Sequence, residues 1–171
     1  MSRKRTAVCP GAFDPITLGH LDVIRRAAAL FDRVVVAVAT NPEKKGLFAR
    51  AQRVAMAREA TRGMAGVTID AYDGLTVAYV ARHKGAVILR GLRQHADFQY
   101  EYQLAMTNRA ISGIETVFVM ADERVAYISS YLVREVAALG GDVSPLVPKG
   151  VLKALRAKLA AGAKRKPLAR E

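Results

Sequence analysis

The sequence TAVCPGAFDPITLGH, residues 6–20, joins a short apolar segment to the start of a helix through a loop that contains two prolines and a glycine. Thr6–Pro10 is predicted to be a strand, and the helical spacing of apolar residues predicts a helix over Gly19–Phe31. A continuous apolar run follows at Val34–Ala39, as expected of a strand that is buried on both faces. A strand, a helix and a second buried strand in this order indicate a parallel α/β unit.

The same alternation continues along the rest of the chain. Further strands are predicted at Val67–Ala71, Ala86–Leu89 and Thr116–Met120. Further helices are predicted at Ala51–Met64, Leu75–Lys84, Phe98–Ile111, Ser129–Leu139 and Lys149–Ala160. The pattern predicts a Rossmann-like, doubly wound α/β fold, in which a five-stranded parallel sheet carries helices on both faces. Ligands of such sheets bind at the carboxyl ends of the strands, so functional residues are expected just after the first, second, fourth and fifth strands.

Length and composition favour one folded domain. The chain has 171 residues, of which 51% are hydrophobic, and we assign residues 1–161 to the domain and residues 162–171 to a basic, flexible tail. No run of eighteen apolar residues predicts a membrane span, and no signal peptide is recognised, so a cytoplasmic location is expected. The single cysteine, Cys9, excludes an intramolecular disulfide and a cysteine-based zinc site.

The formal net charge of +12 lies mostly at the two ends of the chain. Residues 3–5 carry three of these charges and the residues from Lys149 onward carry seven, so the body is nearly balanced. A strongly basic protein invites a nucleic-acid-binding hypothesis. Charge confined to the termini is instead more typical of solvated ends, so nucleic acid is not the expected partner.

The loop and helix start at residues 9–20 have the features of a phosphate site. Gly11 and the prolines shape a loop that a ligand can approach closely, and Gly19 keeps the helix entrance free of side-chain bulk. The free N–H groups and the partial positive charge of a helix start favour phosphate. His20 lies in the first turn, where a ring N–H can donate to that phosphate. A histidine that merely caps the helix is the alternative, and the whole block favours the functional interpretation.

Three further blocks carry basic or hydroxyl side chains after predicted strands. Lys44 and Lys45 follow the second strand, and Arg90 and Arg93 follow the fourth, where two guanidinium groups could enter one site. Asp97 and Glu101 are candidate ion partners of these arginines. Ser129 and Ser130 open a helix, where they could cap it or hold a polyphosphate.

These blocks resemble the Thr/His-x-Gly-His signature of the nucleotidyltransferase superfamily. From Thr6 to Leu159 the chain resembles the bacterial phosphopantetheine adenylyltransferase family. The resemblance implies transfer of the adenylyl group of ATP to 4′-phosphopantetheine, which gives dephospho-coenzyme A and pyrophosphate in the penultimate step of coenzyme A synthesis. It also implies a homo-oligomer, namely a homohexamer, and feedback inhibition by coenzyme A. Mg²⁺ is expected to arrive with ATP, without a dedicated metal site on the protein.

The resemblance also assigns roles to individual residues. The catalytic residues it implies are His20, Lys44 and Arg93. The ATP-binding residues it implies are Ala12, Phe13, Thr17, Gly19, His20, Gly91, Leu92, Arg93, Glu101, Val125, Ala126, Tyr127, Ile128, Ser129, Ser130 and Tyr131. The phosphopantetheine-binding residues it implies are Ala12, Lys44, Leu75, Thr76, Arg90, Leu104 and Asn108. For Leu75 and Leu104 a place in the hydrophobic core is the alternative.

Two positions depart from the family pattern. Ala12 stands where the family usually has a threonine or serine, and Tyr131 stands where a small hydroxyl residue is expected. Each lost hydrogen bond to a charged group corresponds to about 1.5–3 kcal/mol, so we expect a competent but weakened enzyme. The alternatives to this function are another nucleotidyltransferase, acting on nicotinate mononucleotide or a cytidylyl substrate, and a basic nucleic-acid-binding protein.

Overall fold

Strands and helices alternate along the chain in the computed structural model, which describes residues 5–40, 46–83, 86–93 and 95–163. The strands are β1 (Thr6–Gly11), β2 (Arg33–Ala39), β3 (Val67–Tyr72), β4 (Val87–Leu92) and β5 (Thr116–Met120). The helices are α1 (Leu18–Leu30), α2 (Arg50–Ala60), α3 (Thr76–Ala81), α4 (His95–Ser112), α5 (Glu123–Ala126), α6 (Ser130–Ala138) and α7 (Lys149–Ala163).

The five strands form one parallel sheet in the order β3-β2-β1-β4-β5. Val8 of β1 pairs with Val35 of β2 on one side and with Ile88 of β4 on the other. The chain therefore runs outward from β1 to β3 and then returns to the other side of β1. The strand order reverses between β1 and β4, and this is where a doubly wound sheet opens a crevice for ligands.

Helices cover both faces of the sheet. Ala7 and Cys9 of β1 point into a core with Ile24 of α1, Val133 of α6 and Val151 of α7. The alternate residue Val8 belongs to a second core, on the opposite face, with side chains of β2, β4 and α3. A strand whose two faces are both buried needs a continuous apolar sequence, which the first two strands provide. The predicted Rossmann-like fold is confirmed.

The bounds of the elements differ from the sequence-based expectations in three informative places. Helix α2 ends at Ala60, before the predicted Met64, since Gly63 adopts a positive φ of 84° that ends the turn. Strand β4 continues beyond Leu89 to Leu92, because β5 pairs with it along this whole length. Arg90 and Gly91 consequently lie within a strand. The short helix α5 was not predicted, and four residues carry no clear periodic signal.

Within the described residues, no helix combines the length and apolar character that crossing a membrane requires.

Candidate active site

The end of β1 and the loop between β1 and α1 are held through their backbone carbonyl groups. Arg90 Nη1 donates to the Pro10 carbonyl at 2.8 Å, and Ser130 Oγ donates to the Pro15 carbonyl at 2.8 Å. Between these positions, the Ala12 and Asp14 carbonyls accept from Arg53 Nη1 and Arg134 Nη1. Guanidinium donors make strong hydrogen bonds, and three of them together with one hydroxyl, from α2, β4 and α6, fix the backbone here.

The Asp14 carboxylate ties the same loop to the segment that precedes α2. Its two oxygens accept the backbone N–H groups of Leu47 at 2.7 Å and Phe48 at 2.9 Å. Beside it, Phe13 has a φ of +47°, a conformation that side-chain-bearing residues rarely adopt. Its buried ring contacts the His20 ring edge-on, with 5.1 Å between the ring centroids. The strained backbone at Phe13 therefore places an aromatic ring against the predicted catalytic histidine.

His20 forms a reciprocal capping box with Thr17. The Thr17 hydroxyl accepts the His20 backbone N–H at 3.4 Å, and His20 Nδ1 accepts the Thr17 backbone N–H at 3.0 Å. Because a backbone N–H can only donate, Nδ1 must be unprotonated, and the ring proton of neutral His20 resides on Nε2. The cap and the phosphate donor are thus compatible: one ring nitrogen caps the helix, and the other is left to donate to a ligand.

Burial and two positive charges keep His20 neutral. Burial, followed by the charges of Arg93 and Arg90, lowers the pKa of His20 from 6.5 to about 4. The ring is therefore uncharged at neutral pH. A neutral donor next to two arginines can bind phosphate without adding to their mutual repulsion.

A cleft of about 230 Å³, the His20 cleft, opens above α1 at the carboxyl ends of β1 and β4. The predicted ATP-binding residues that line it are Ala12, Phe13, Gly19, His20, Gly91, Arg93, Glu101, Ile128 and Ser130. Gly19 leaves little room there, since a Cβ would lie 3.0 Å from the Val125 carbonyl oxygen and 3.2 Å from that of Ile128, closer than most Cβ contacts. Arg93 Nη1 donates to this Ile128 carbonyl at 3.3 Å.

A second cleft of about 290 Å³, the Leu75 cleft, lies on the other side of Arg90. The predicted phosphopantetheine-binding residues that line it are Leu75, Thr76, Arg90, Leu104 and Asn108. Leu75 is 68% exposed, so its alternative assignment to the hydrophobic core is wrong. Pro10, Gly11, Arg90 and Glu101 line both clefts, which therefore adjoin along the end of β1.

Glu101 pairs with Arg90 at the boundary between the clefts. Arg90 Nε donates to Glu101 Oε2 at 2.7 Å, and Arg90 Nη2 donates to Oε1. Glu101 is only 9% exposed, so this is a nearly buried, two-pronged ion pair. Of the two interpretations of Glu101, the structure provides the ion partner, and it does so for Arg90. A direct contact of Glu101 with nucleotide stays a prediction.

The other predicted residues that the structure describes do not line either cleft. Thr17 is fully buried as the helix cap, and Ser129 caps α6 by accepting the Leu132 N–H at 3.1 Å. Tyr127 and Tyr131 are 56% and 64% exposed. The other predicted ATP-binding residues that line neither cleft are Leu92, Val125 and Ala126. Lys44 and its neighbour Lys45 fall outside the described residues.

Cys9 lies under the His20 cleft as a packed thiol. It is buried, and burial is the main cause that raises its pKa to about 11. A thiol that stays protonated at neutral pH is a poor nucleophile, so the packed interpretation of Cys9 is confirmed.

Sequence analysis missed three residues that support the clefts. Tyr72 donates to or accepts from Thr76 Oγ1 at 2.8 Å in the wall of the Leu75 cleft. Thr116 lines the same cleft, with a buried hydroxyl that has no partner among the described residues. Arg53 contacts the Ala12 carbonyl from α2. The sequence offered one indication of this contact: Arg53 lies on the helix face that also carries the buried Met56 and Ala57.

Among the described residues there is no group of three histidine, cysteine or acidic side chains placed to hold a metal ion.

Comparison with known proteins gives consistent results. Residues 8–136 match the cytidylyltransferase-like family. The chain is 48% identical over 161 residues to the phosphopantetheine adenylyltransferase of Thermobifida fusca, with 94% of this chain and 98% of that protein covered. It is 49% identical over 152 residues to the enzyme of that name from Thermosynechococcus vestitus, with 88% and 90% covered.

The fold also matches that of a solved structure. A candidate nicotinate-nucleotide adenylyltransferase from Vibrio parahaemolyticus superposes with a TM-score of 0.64, covering 90% of this chain and 99% of that one. The two share 21% sequence identity, so this similarity concerns the fold alone.

Proposed function

Because the chain belongs to the cytidylyltransferase-like family and, within it, to the phosphopantetheine adenylyltransferases, we propose that it transfers the adenylyl group of ATP to 4′-phosphopantetheine. The products are dephospho-coenzyme A and pyrophosphate. The observation that carries the proposal is the pair of adjoining clefts, which meet at Arg90 beside a neutral His20. Two ligands that must react with one another need such a common boundary.

We place one substrate in each cleft, and the chemistry of the linings supports this placement. The Leu75 cleft offers apolar side chains together with Thr76 and Asn108, which suits an arm that alternates methylene groups with amides. Arg90 at its inner end suits the terminal phosphate of that arm. The His20 cleft, with Arg93 and the start of α1, suits the triphosphate of ATP.

The reaction is an in-line displacement at the α-phosphorus of ATP. An oxygen of the acceptor phosphate forms the new P–O bond, and the bond from the α-phosphorus to the bridging oxygen of pyrophosphate breaks. The nucleophile is already ionised, so the protein need not remove a proton. Its role is positioning and charge stabilisation, with His20 Nε2–H, Arg93 and Lys44 as donors to the reacting phosphates.

The remaining expectations belong to the same proposal. ATP binds as its Mg²⁺ complex, which is in keeping with oxygen-rich coordination by phosphates and water. We propose a homo-oligomer, a hexamer as in the family it resembles, and the exposed apolar side chains of α4, such as Tyr100 and Ile111 at 65% and 61%, offer a surface for it. Inhibition by coenzyme A and a cytoplasmic location complete the proposal.

The test is direct detection of the product. The protein is incubated with MgATP and 4′-phosphopantetheine, and dephospho-coenzyme A is identified by mass while pyrophosphate is measured enzymatically. We expect both in equal amounts, and we expect His20→Ala to lower kcat at least about a hundredfold with little change in the KM for ATP. Pyrophosphate without the adenylylated product would reject the proposal. An unchanged kcat in His20→Ala would remove His20 from the catalytic residues.

A further inference from the structure

Arg53 of α2 is a buried arginine whose hydrogen bonds go to backbone carbonyls. It is 7% exposed, and its Nη1 lies 2.5 Å from the Ala12 carbonyl oxygen and 2.9 Å from the Ala39 carbonyl oxygen. Its Nε is buried and has no partner among the described residues. Among the residues that the structure describes, no carboxylate forms an ion pair with Arg53. Arg50 of the same helix, by contrast, pairs with Asp73.

Such an environment is unusual for a guanidinium group. Removing an arginine from water is unfavourable unless its charge and its donors are compensated. Carbonyl oxygens compensate only in part: Nη1 can donate one proton to each of the two carbonyls, whereas the buried Nε–H is left without a partner among the described residues. Packing of α2 alone does not call for this residue, since an apolar side chain would fill the same space without desolvating a charge.

The two carbonyls belong to the two clefts. Ala12 follows β1 and lines the His20 cleft, and Ala39 ends β2 and lines the Leu75 cleft. Arg53 itself lines neither cleft. A single nitrogen atom thus joins the wall of one cleft to the wall of the other from behind, and fixes the distance between them.

We propose that Arg53 is a positioning residue that aligns the two clefts for the transfer step without touching either substrate. The inference rests on the proposed function, because only a reaction between ligands in both clefts depends on their alignment. An in-line displacement is sensitive to errors of about 1 Å in the position of the reacting groups, which can lower the rate about a hundredfold. Binding of a single substrate within its own cleft does not have this sensitivity.

The test separates binding from turnover. Arg53→Met keeps the length of the side chain but removes its donors, and Arg53→Lys keeps one charged nitrogen. Arg58→Met is the matched control, because Arg58 lies on the same helix and is exposed. For each protein, thermal unfolding shows whether the fold is retained. Calorimetry then gives the Kd of MgATP alone and of phosphopantetheine alone, and steady-state assays give kcat.

We expect Arg53→Met to bind each substrate within about twofold of the wild type, which is a small change in binding free energy. Its kcat should fall between about tenfold and a hundredfold, with Arg53→Lys intermediate and Arg58→Met unchanged. A folded Arg53→Met with wild-type kcat would overturn the inference, as would a loss of activity matched by a weaker Kd for one substrate. If Arg53→Met does not fold, the inference is tested with Arg53→Lys instead. A wild-type kcat in Arg53→Lys would then contradict the inference. Inactivity of both the wild type and Arg58→Met would instead reject the proposed function.

Discussion

At the scale of single residues, the site depends on which nitrogen of His20 carries the proton. The Thr17 backbone N–H occupies Nδ1 at 3.0 Å, so the donor is Nε2. The sequence could predict that a histidine in the first turn faces a phosphate, since position and helix chemistry suffice for that. It could not assign the neutral charge, because the lowered pKa of His20 depends on burial and on Arg93 and Arg90, which come from a distant strand and the residue that follows it.

The lowered pKa of His20 predicts a pH dependence of stability. The folded pKa is about 4, while the unfolded chain has the ordinary value near 6.5. Below pH 6.5 the unfolded state binds a proton that the folded state does not. The contribution of His20 to the free energy of unfolding is therefore fully present above pH 6.5 and is lost as the pH falls toward 4. We expect the free energy of unfolding of the wild type to exceed that of His20→Asn by more at pH 7.5 than at pH 4.5, as measured by urea denaturation. A difference that grows toward acid would contradict the burial of a neutral imidazole.

A second prediction at this scale concerns the hydroxyl groups that Ala12 and Tyr131 replace. Ala12 lines the His20 cleft without a hydroxyl, whereas Tyr131 is 64% exposed and lines neither cleft. A donor restored at residue 12 can reach a phosphate, so Ala12→Ser should raise kcat/KM up to about tenfold. Tyr131→Thr should raise kcat/KM less. If both variants leave kcat/KM unchanged or lower it, these departures from the family pattern are compensated elsewhere and the enzyme is not weakened by them.

At the scale of elements, α1 rests directly on β4 at Gly91. A Cβ on Gly91 would lie 2.7 Å from Val23 Cγ2, closer than carbon atoms pack. Gly91→Ala should therefore push α1 and His20 away from the sheet and destabilise the protein by about 1–3 kcal/mol. Urea denaturation of Gly91→Ala and of the double variant with Val23→Ala tests this contact. The double variant should recover part of the loss, and strictly additive losses would show that Val23 is not the obstacle.

The elements also show where sequence analysis stops. Apolar runs and helical spacing predicted all five strands and every helix of nine residues or more, because periodicity reports burial directly. Strand β4 extended through Arg90 and Gly91 since its end is set by pairing with β5, which no local pattern contains. Arg53 was missed for a similar reason: its partner Ala12 lies 41 positions away, and the contact depends on how α2 packs against the sheet.

At the scale of the whole molecule, the sheet order places both clefts at the point where the direction of winding reverses. The fold alone is shared with a chain of 21% identity, so it does not identify the acceptor. In the proposed function, the Leu75 cleft beside Arg90 is the feature that selects an acceptor with a long arm and a terminal phosphate. Residues 164–171 of the predicted basic tail lie outside the described residues, so the assignment of residues 162–171 to a flexible tail stays a prediction.

The most direct test of the central claim is a comparison of acceptors with the wild-type protein. Pyrophosphate release from MgATP is measured as kcat/KM with 4′-phosphopantetheine and, in parallel, with nicotinate mononucleotide. We expect phosphopantetheine to be preferred at least about a hundredfold, because a mononucleotide would leave the far end of the Leu75 cleft unfilled. Equal values for the two acceptors, or a preference for nicotinate mononucleotide, would contradict the claim.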